Sequence, residues 1–89
     1  MILVGVNDAG ALAAVDCGTN STRLLVVGPR GDVRTREMTI TRLGQGVDAS
    51  HRLEAEAMER TFTVLRTYRA IMEDEGVRRA RLVATSAEA

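Results

Sequence analysis

The chain has 89 residues, with 12 basic side chains against 12 acidic ones and a single histidine, so its formal net charge is zero. That length holds one domain at most, or part of one, and a core that buries only about 60–65% of the surface the unfolded chain exposes. Balanced charge and just two aromatic residues, Phe62 and Tyr68, leave neither a basic stripe nor a stacking platform, which disfavours nucleic acid as a partner.

The composition, 45% hydrophobic and 27% charged, belongs to a globular chain rather than a disordered one. One cysteine, Cys17, excludes an internal disulfide framework and a multi-cysteine zinc site. The longest apolar run, Ala11 to Val15, falls far short of the roughly 20 residues of a membrane span. Residues Met1 to Gly10 have no basic start and carry Asp8, so they do not read as a signal peptide. A reducing, cytoplasmic setting without a membrane partner is the expectation.

In chain order, Leu12 to Val15 is a short apolar run closed by Asp16-Cys17-Gly18, a buried strand entering a turn. Arg23 to Val27 is a second strand, stopped by Gly28-Pro29-Arg30-Gly31-Asp32. Val33 to Thr41 is a third, β-branched and alternating, with one wet face. After the glycine-rich loop from Leu43 to Asp48 the period turns helical at about Glu54. Met58, Phe62, Leu65, Tyr68 and Met72 form one apolar stripe, and Arg60, Arg66, Arg69, Glu56, Glu59 and Glu73 cover much of the rest. Ser50 is a candidate N-cap and Gly76 a left-handed C-terminal cap. Arg81 to Thr85 is the last strand.

This β-β-β-α-β order makes an antiparallel meander followed by a parallel crossover, predicting a mixed sheet in the order 3-2-1-4. The ends of strands one and four then lie side by side, and the turns after them face one crevice, where open α/β sheets bind ligands.

The segment Asp16-Cys17-Gly18-Thr19-Asn20-Ser21-Thr22-Arg23 carries the chemistry. Gly18 permits a tight turn, and Thr19, Asn20 and Ser21 add small polar donors beside backbone N–H groups, a composition that forms concave nests for phosphate oxygens. Asp16 at the base is placed to hold Mg²⁺ through water, because magnesium keeps several waters and takes one or two carboxylates. The same residue types are also ordinary turn formers, and spacing alone leaves a plain hairpin turn open.

Ala13 to Val26, with its Asp16-Cys-Gly-Thr-Asn-Ser21-Thr-Arg23 core, resembles the first phosphate loop of the exopolyphosphatase and guanosine pentaphosphate phosphatase family. Sugar kinases carry a similar loop. Thr41-Arg42-Leu43-Gly44-Gln45-Gly46-Val47-Asp48, followed by a helix with Glu59-Arg60, resembles the family's second block, and Val83-Ala84-Thr85-Ser86-Ala87 its third. The resemblance implies an α/β fold, part of a ribonuclease-H-like domain of the actin and heat-shock-protein-70 superfamily. It implies hydrolysis of terminal phosphoanhydride bonds in inorganic polyphosphate or guanosine pentaphosphate, with Mg²⁺ as cofactor. Asp16, Gly18, Thr19, Asn20, Ser21 and Arg23 would form the first phosphate loop, Asp16 would hold the metal, and Thr85 and Ser86 would line the facing edge.

By the same resemblance, residues 1–11 are an N-terminal extension and 12–89 the phosphate-loop half of a truncated phosphatase domain. The family's catalytic Glu is expected beyond Ala89, so no catalytic residue is expected here and the chain alone is expected to be inactive. An Arg is expected where Ala89 stands. Two alternatives accompany this reading: a non-catalytic phosphate- or nucleotide-binding fragment or subunit, self-associating through an exposed sheet edge, and a relative of the sugar or acetate kinases. Cys17 reads as a small packed residue, His51 as a loop residue, Asp48 as a turn residue, and Arg42 as either a phosphate contact or a surface arginine.

Overall fold

The computed structural model describes residues 10–46 and 52–84. Strands β1 (Ala11–Cys17), β2 (Ser21–Val27) and β3 (Val33–Ile40) precede helix α1 (Ala55–Asp74) and strand β4 (Val77–Ala84). They form a four-stranded sheet in the order β3-β2-β1-β4. β1 and β2 are antiparallel, as are β2 and β3, and β4 runs parallel to β1 with Cys17 opposite Ala84. The expected mixed sheet is the observed one.

The strands differ from their expected limits for physical reasons. β1 runs on through Asp16 and Cys17 because β4 pairs with both, opposite Val83 and Ala84. β2 begins at Ser21 for the same kind of reason, so the connection is only Gly18 to Asn20. β4 starts at Val77, four residues before Arg81. Gly76 adopts φ +70° directly after the helix, and that left-handed residue turns the chain into the strand at once. β3 ends at Ile40, one residue earlier than expected; the Thr41 N–H, in register opposite Asn20, still donates to its carbonyl, and the Arg42 N–H turns to the same acceptor.

The pleat sorts the side chains by face. Ala11, Ala13, Val15 and Cys17 of β1 and Leu24 and Val26 of β2 form the buried cluster with Tyr68 of α1. Val64, Leu65, Ile71 and Met72 of the helix pack against it. Leu65, Tyr68 and Met72 of the expected stripe face the core, but in the first half of the helix the buried residues are Ala57 and Thr61, and Phe62 is 49% exposed. Residues at three- and four-residue steps fit either of two neighbouring lines on a helix. Tyr68, common to both lines, holds the helix to the sheet: its hydroxyl donates to the Thr22 carbonyl at 3.0 Å and pairs with the Thr39 hydroxyl at 3.0 Å.

The Ser50 cap lies outside the described residues. The observed N-cap position is Glu54, which makes no side-chain cap hydrogen bond. On the opposite face of the sheet, Leu12, Ala14, Leu25 and Val27 form a stripe. Arg79 and Arg81 of β4 lie beside it in the ladder on one side and Arg36 of β3 on the other.

Tyr68→Phe removes both hydroxyl contacts and leaves the ring, and is expected to cost about 1–2 kcal/mol in urea unfolding. Tyr68→Ala is expected to cost about 3–5 kcal/mol. Phe62→Ala, on the exposed face, is expected to cost less than about 1 kcal/mol. Equal costs for Phe62→Ala and Tyr68→Ala would place the core-facing line of the helix elsewhere.

Candidate functional site

The β1–β2 connection sits at the end of the sheet where β1 and β4 finish together. The Gly18 N–H donates to the Ser21 carbonyl at 2.9 Å and closes the turn, leaving Thr19 and Asn20 exposed at its tip. The segment after β3 then fastens this tip from one side. The N–H groups of Thr41 and Arg42 both donate to the Asn20 carbonyl, at 3.1 and 2.9 Å, and the Gly44 N–H donates to the Thr19 carbonyl at 2.9 Å.

A trans peptide points its N–H opposite its C=O. Fixing the Thr19 and Asn20 carbonyls toward residues 41–44 therefore directs the N–H groups of Asn20 and Ser21 the other way. Gly44 permits the approach, because a Cβ there would stand 3.1 Å from the Thr19 Cβ.

Of the expected phosphate-loop residues, only Gly18, Thr19 and Asn20 are loop. Asp16, Ser21 and Arg23 are strand residues, which fixes where their side chains leave the sheet. Asp16 pairs across the ladder with Arg23 on one side and with Val83 on the other. All three lie on the face away from α1. There a cavity of about 510 Å³ is lined by Asp16, Arg23, Leu25, Arg36 and Met38 among others. Thr85 and Ser86 lie outside the described residues, as do Asp48 and His51.

Asp16 Oδ1 is buried and accepts no hydrogen bond among the described residues. A buried carboxylate oxygen without a donor carries a desolvation penalty that a cation would offset. Among the described residues no three His, Cys, Asp or Glu side chains cluster as a metal cage. One carboxylate with one orphaned oxygen fits magnesium, which retains most of its waters, and does not fit zinc.

Three residues behave differently from their sequence reading or sharpen it. Arg60, grouped there with the surface charges, is half-buried. Its Nε donates to the Thr41 carbonyl at 2.9 Å, and one terminal NH₂ reaches the Arg42 carbonyl at 3.4 Å and Gln45 Oε1 at 2.5 Å. Arg42 is exposed with φ +52°, a conformation that non-glycine residues rarely adopt. Cys17 is buried, and burial, then the neighbouring Asp16 charge, push its thiol above the ordinary value, against a hydrogen bond with Thr22. It is a packed residue and not a poised nucleophile.

A mixed sheet in the order 3-2-1-4, reached through β-β-β-α-β, is the opening of the fold shared by actin and heat-shock protein 70, and solved phosphatases of this architecture superpose on it. The crystal structure of the Aquifex aeolicus Ppx/GppA family member matches with a TM-score of 0.81 and 30% identity, covering 88% of this chain and 26% of that one. An exopolyphosphatase from Cytophaga hutchinsonii matches with a TM-score of 0.79 and 29% identity, over 86% of this chain and 26% of that one. Exopolyphosphatase 2 of Mycobacterium tuberculosis is 49% identical over 85% of this chain and 26% of its own length. Residues 30–88 match the model of the Ppx/GppA phosphatase family.

The chain belongs to the Ppx/GppA phosphatase family, a family of hydrolases, and spans about a quarter of the length of the relatives it matches. The sugar and acetate kinases that share its first loop are set aside. No helix of the described residues is long and apolar enough to cross a membrane.

The raised Cys17 pKa sets a pH dependence. The folded state holds the thiol proton more tightly than the unfolded one, so this contribution to stability is complete below the unfolded-state value. It is lost as pH rises through the folded-state value. At mildly alkaline pH, iodoacetamide is expected to alkylate Cys17 at least about tenfold more slowly in the folded chain than in urea. Equal rates would show an accessible thiolate.

Proposed function

We propose that this chain is the phosphate-gripping half of an exopolyphosphatase-type site, holding the end of inorganic polyphosphate or guanosine pentaphosphate whose terminal phosphoanhydride is cleaved. The observation that carries this reading is the fastened β1–β2 turn, with the orphaned Asp16 Oδ1 beneath it. Phosphoryl transfer needs little from a protein beyond positioning and charge stabilisation. Here the Asn20 and Ser21 N–H groups, the Thr19 and Ser21 hydroxyls and the Asn20 amide supply donors to phosphate oxygens. Arg23, beside Asp16 on the same face, supplies a fixed positive charge.

Asp16 would hold magnesium, which when bound neutralises phosphate charge. Thr85 and Ser86 follow β4, whose end lies beside that of β1, and they complete the facing edge in this reading. The names of the Mycobacterium tuberculosis and Cytophaga hutchinsonii relatives support polyphosphate as the substrate class.

In this reading the 89 residues supply the grip, and the general base, a group that contributes about 10²–10⁴-fold in rate, is not among them. Binding without turnover is therefore the expected behaviour. Titration calorimetry with inorganic tripolyphosphate is expected to show magnesium-dependent binding to the wild-type chain. Asp16→Ala is expected to remove the magnesium dependence and weaken binding by about tenfold or more. No heat from the wild-type chain would sink the phosphate-site reading. Magnesium-dependent phosphate release that Asp16→Ala abolishes would show that these residues already contain the catalytic apparatus.

A further inference from the structure

We infer that Arg60 is a positioning residue for the phosphate loop, acting on it through the segment after β3 without touching the ligand; the functional part of this inference rests on the phosphate-site reading above. Arg60 projects from the second turn of α1, and its guanidinium bonds two consecutive carbonyls, those of Thr41 and Arg42, together with the Gln45 side chain. The same two residues donate their N–H groups to the Asn20 carbonyl. The helix thus holds one side of the Thr41–Arg42 peptides, and those peptides hold the turn tip with the other.

The arrangement answers a specific need. Arg42 sits at φ +52°, a conformation unfavourable for a non-glycine residue that persists only when its surroundings over-determine it. The Gln45 N–H donates to the Arg42 carbonyl at 2.9 Å, and Arg60 bonds both that carbonyl and the Gln45 side chain. The buried Thr22 and Thr41 hydroxyls, 2.8 Å apart, anchor the same segment from the sheet side.

A guanidinium is suited to this because its donors form a rigid fork that meets several acceptors at once, whereas a lysine ammonium is a point charge on a flexible stem. Without the fork, Arg42 relaxes toward an ordinary backbone conformation, its N–H swings away from Asn20, and the Asn20–Ser21 peptide loses its fixed orientation. The site keeps all its ligand-contacting residues and loses their alignment.

The test compares Arg60→Met and Arg60→Lys with wild type and with Arg66→Met, a change on the exposed side of the same helix. The first readout is amide hydrogen exchange and chemical shift at Thr41, Arg42, Gly44, Asn20 and Ser21, without ligand. The second is inorganic tripolyphosphate binding with magnesium.

Both Arg60 variants are expected to exchange the Arg42 and Gly44 amides about tenfold faster or more, to shift the Asn20 and Ser21 amides, and to bind tripolyphosphate about tenfold more weakly. Arg66→Met is expected to match wild type. Arg60→Lys keeps the stem and the charge, and it carries the measurement if Arg60→Met fails to fold. Full recovery by Arg60→Lys would show that charge suffices, and unchanged loop amides in either variant would show that the fork does not hold the turn. Either result overturns the inference. If wild type binds no tripolyphosphate while the loop amides still loosen in the Arg60 variants, the phosphate-site reading fails and the positioning role stands.

Discussion

The parallel pairing of β4 against β1 is the constraint on which the rest of this structure depends. A parallel neighbour cannot be reached by a hairpin, so the chain must build a helix and return along the sheet before β1 gains its second partner. That makes β1 an interior strand with ladders on both sides, and it explains why a segment as plain as ALAAVDC is buried almost throughout. It also fixes chemistry. Two strands running the same way finish together, so Cys17 and Ala84 end side by side at one edge of the sheet. Had β4 paired antiparallel, the segments after β1 and β4 would leave the sheet at opposite ends and share no crevice.

A second layer of order is polar and runs between α1 and the sheet. The core cluster is small, and most of its residues are small too: Ala11, Ala13, Val15, Cys17 and Val26 beside Leu24 and Tyr68. Specificity comes from hydrogen bonds that few alternative packings could satisfy. Tyr68 bonds Thr22 and Thr39, Thr22 faces Thr41, Thr35 donates to Glu75, and Arg60 closes the line at the loop end. Each is worth about 1 kcal/mol net, yet each would cost more if a partner were left buried and unpaired. The helix is therefore keyed to its rotation and height on the sheet, and the same bonds that key it reach the segment fastening the β1–β2 turn.

Strand order and fold class were legible in the sequence because the turns are short and chemically explicit. Gly28-Pro29 to Asp32 can only reverse the chain, and Gly76 can only stop the helix. The loop composition from Gly18 to Ser21 was equally plain, and three sequence blocks in order carried the family.

Long-range pairing was not legible. The second block set Glu59-Arg60 apart from Arg66 and Arg69, yet nothing near Arg60 in sequence shows what it holds, because its acceptors lie 15 to 19 residues earlier. The positive φ at Arg42 was hidden for a related reason. Glycines stand at 44 and 46, where the eye expects the strained backbone, while Arg42 is forced into it by partners on two other segments. Phe62 misled because helical period alone cannot choose between adjacent lines of a helix: Leu65, Tyr68 and Met72 face the core as expected, while Ala57 and Thr61 are buried where Met58 and Phe62 were expected.

Those hidden contacts bear on why the β1–β2 turn is built this way at all. A glycine-containing turn with exposed tip residues is intrinsically mobile, and a mobile donor array loses much of its binding energy to ordering when ligand arrives. One way to pre-order it is to fill the turn with its own internal bonds, which would consume the N–H groups a phosphate needs. This chain takes the other course, fastening the carbonyls to a neighbouring segment so that the opposite edges of the same peptides stay available. That segment must itself be rigid, which is why it is tied to helix and sheet at once. The alignment of the turn is then part of the fold's own stability, and on the phosphate-site reading substitutions at Thr41 or Gln45, as much as at Arg60, would act on affinity through the same path.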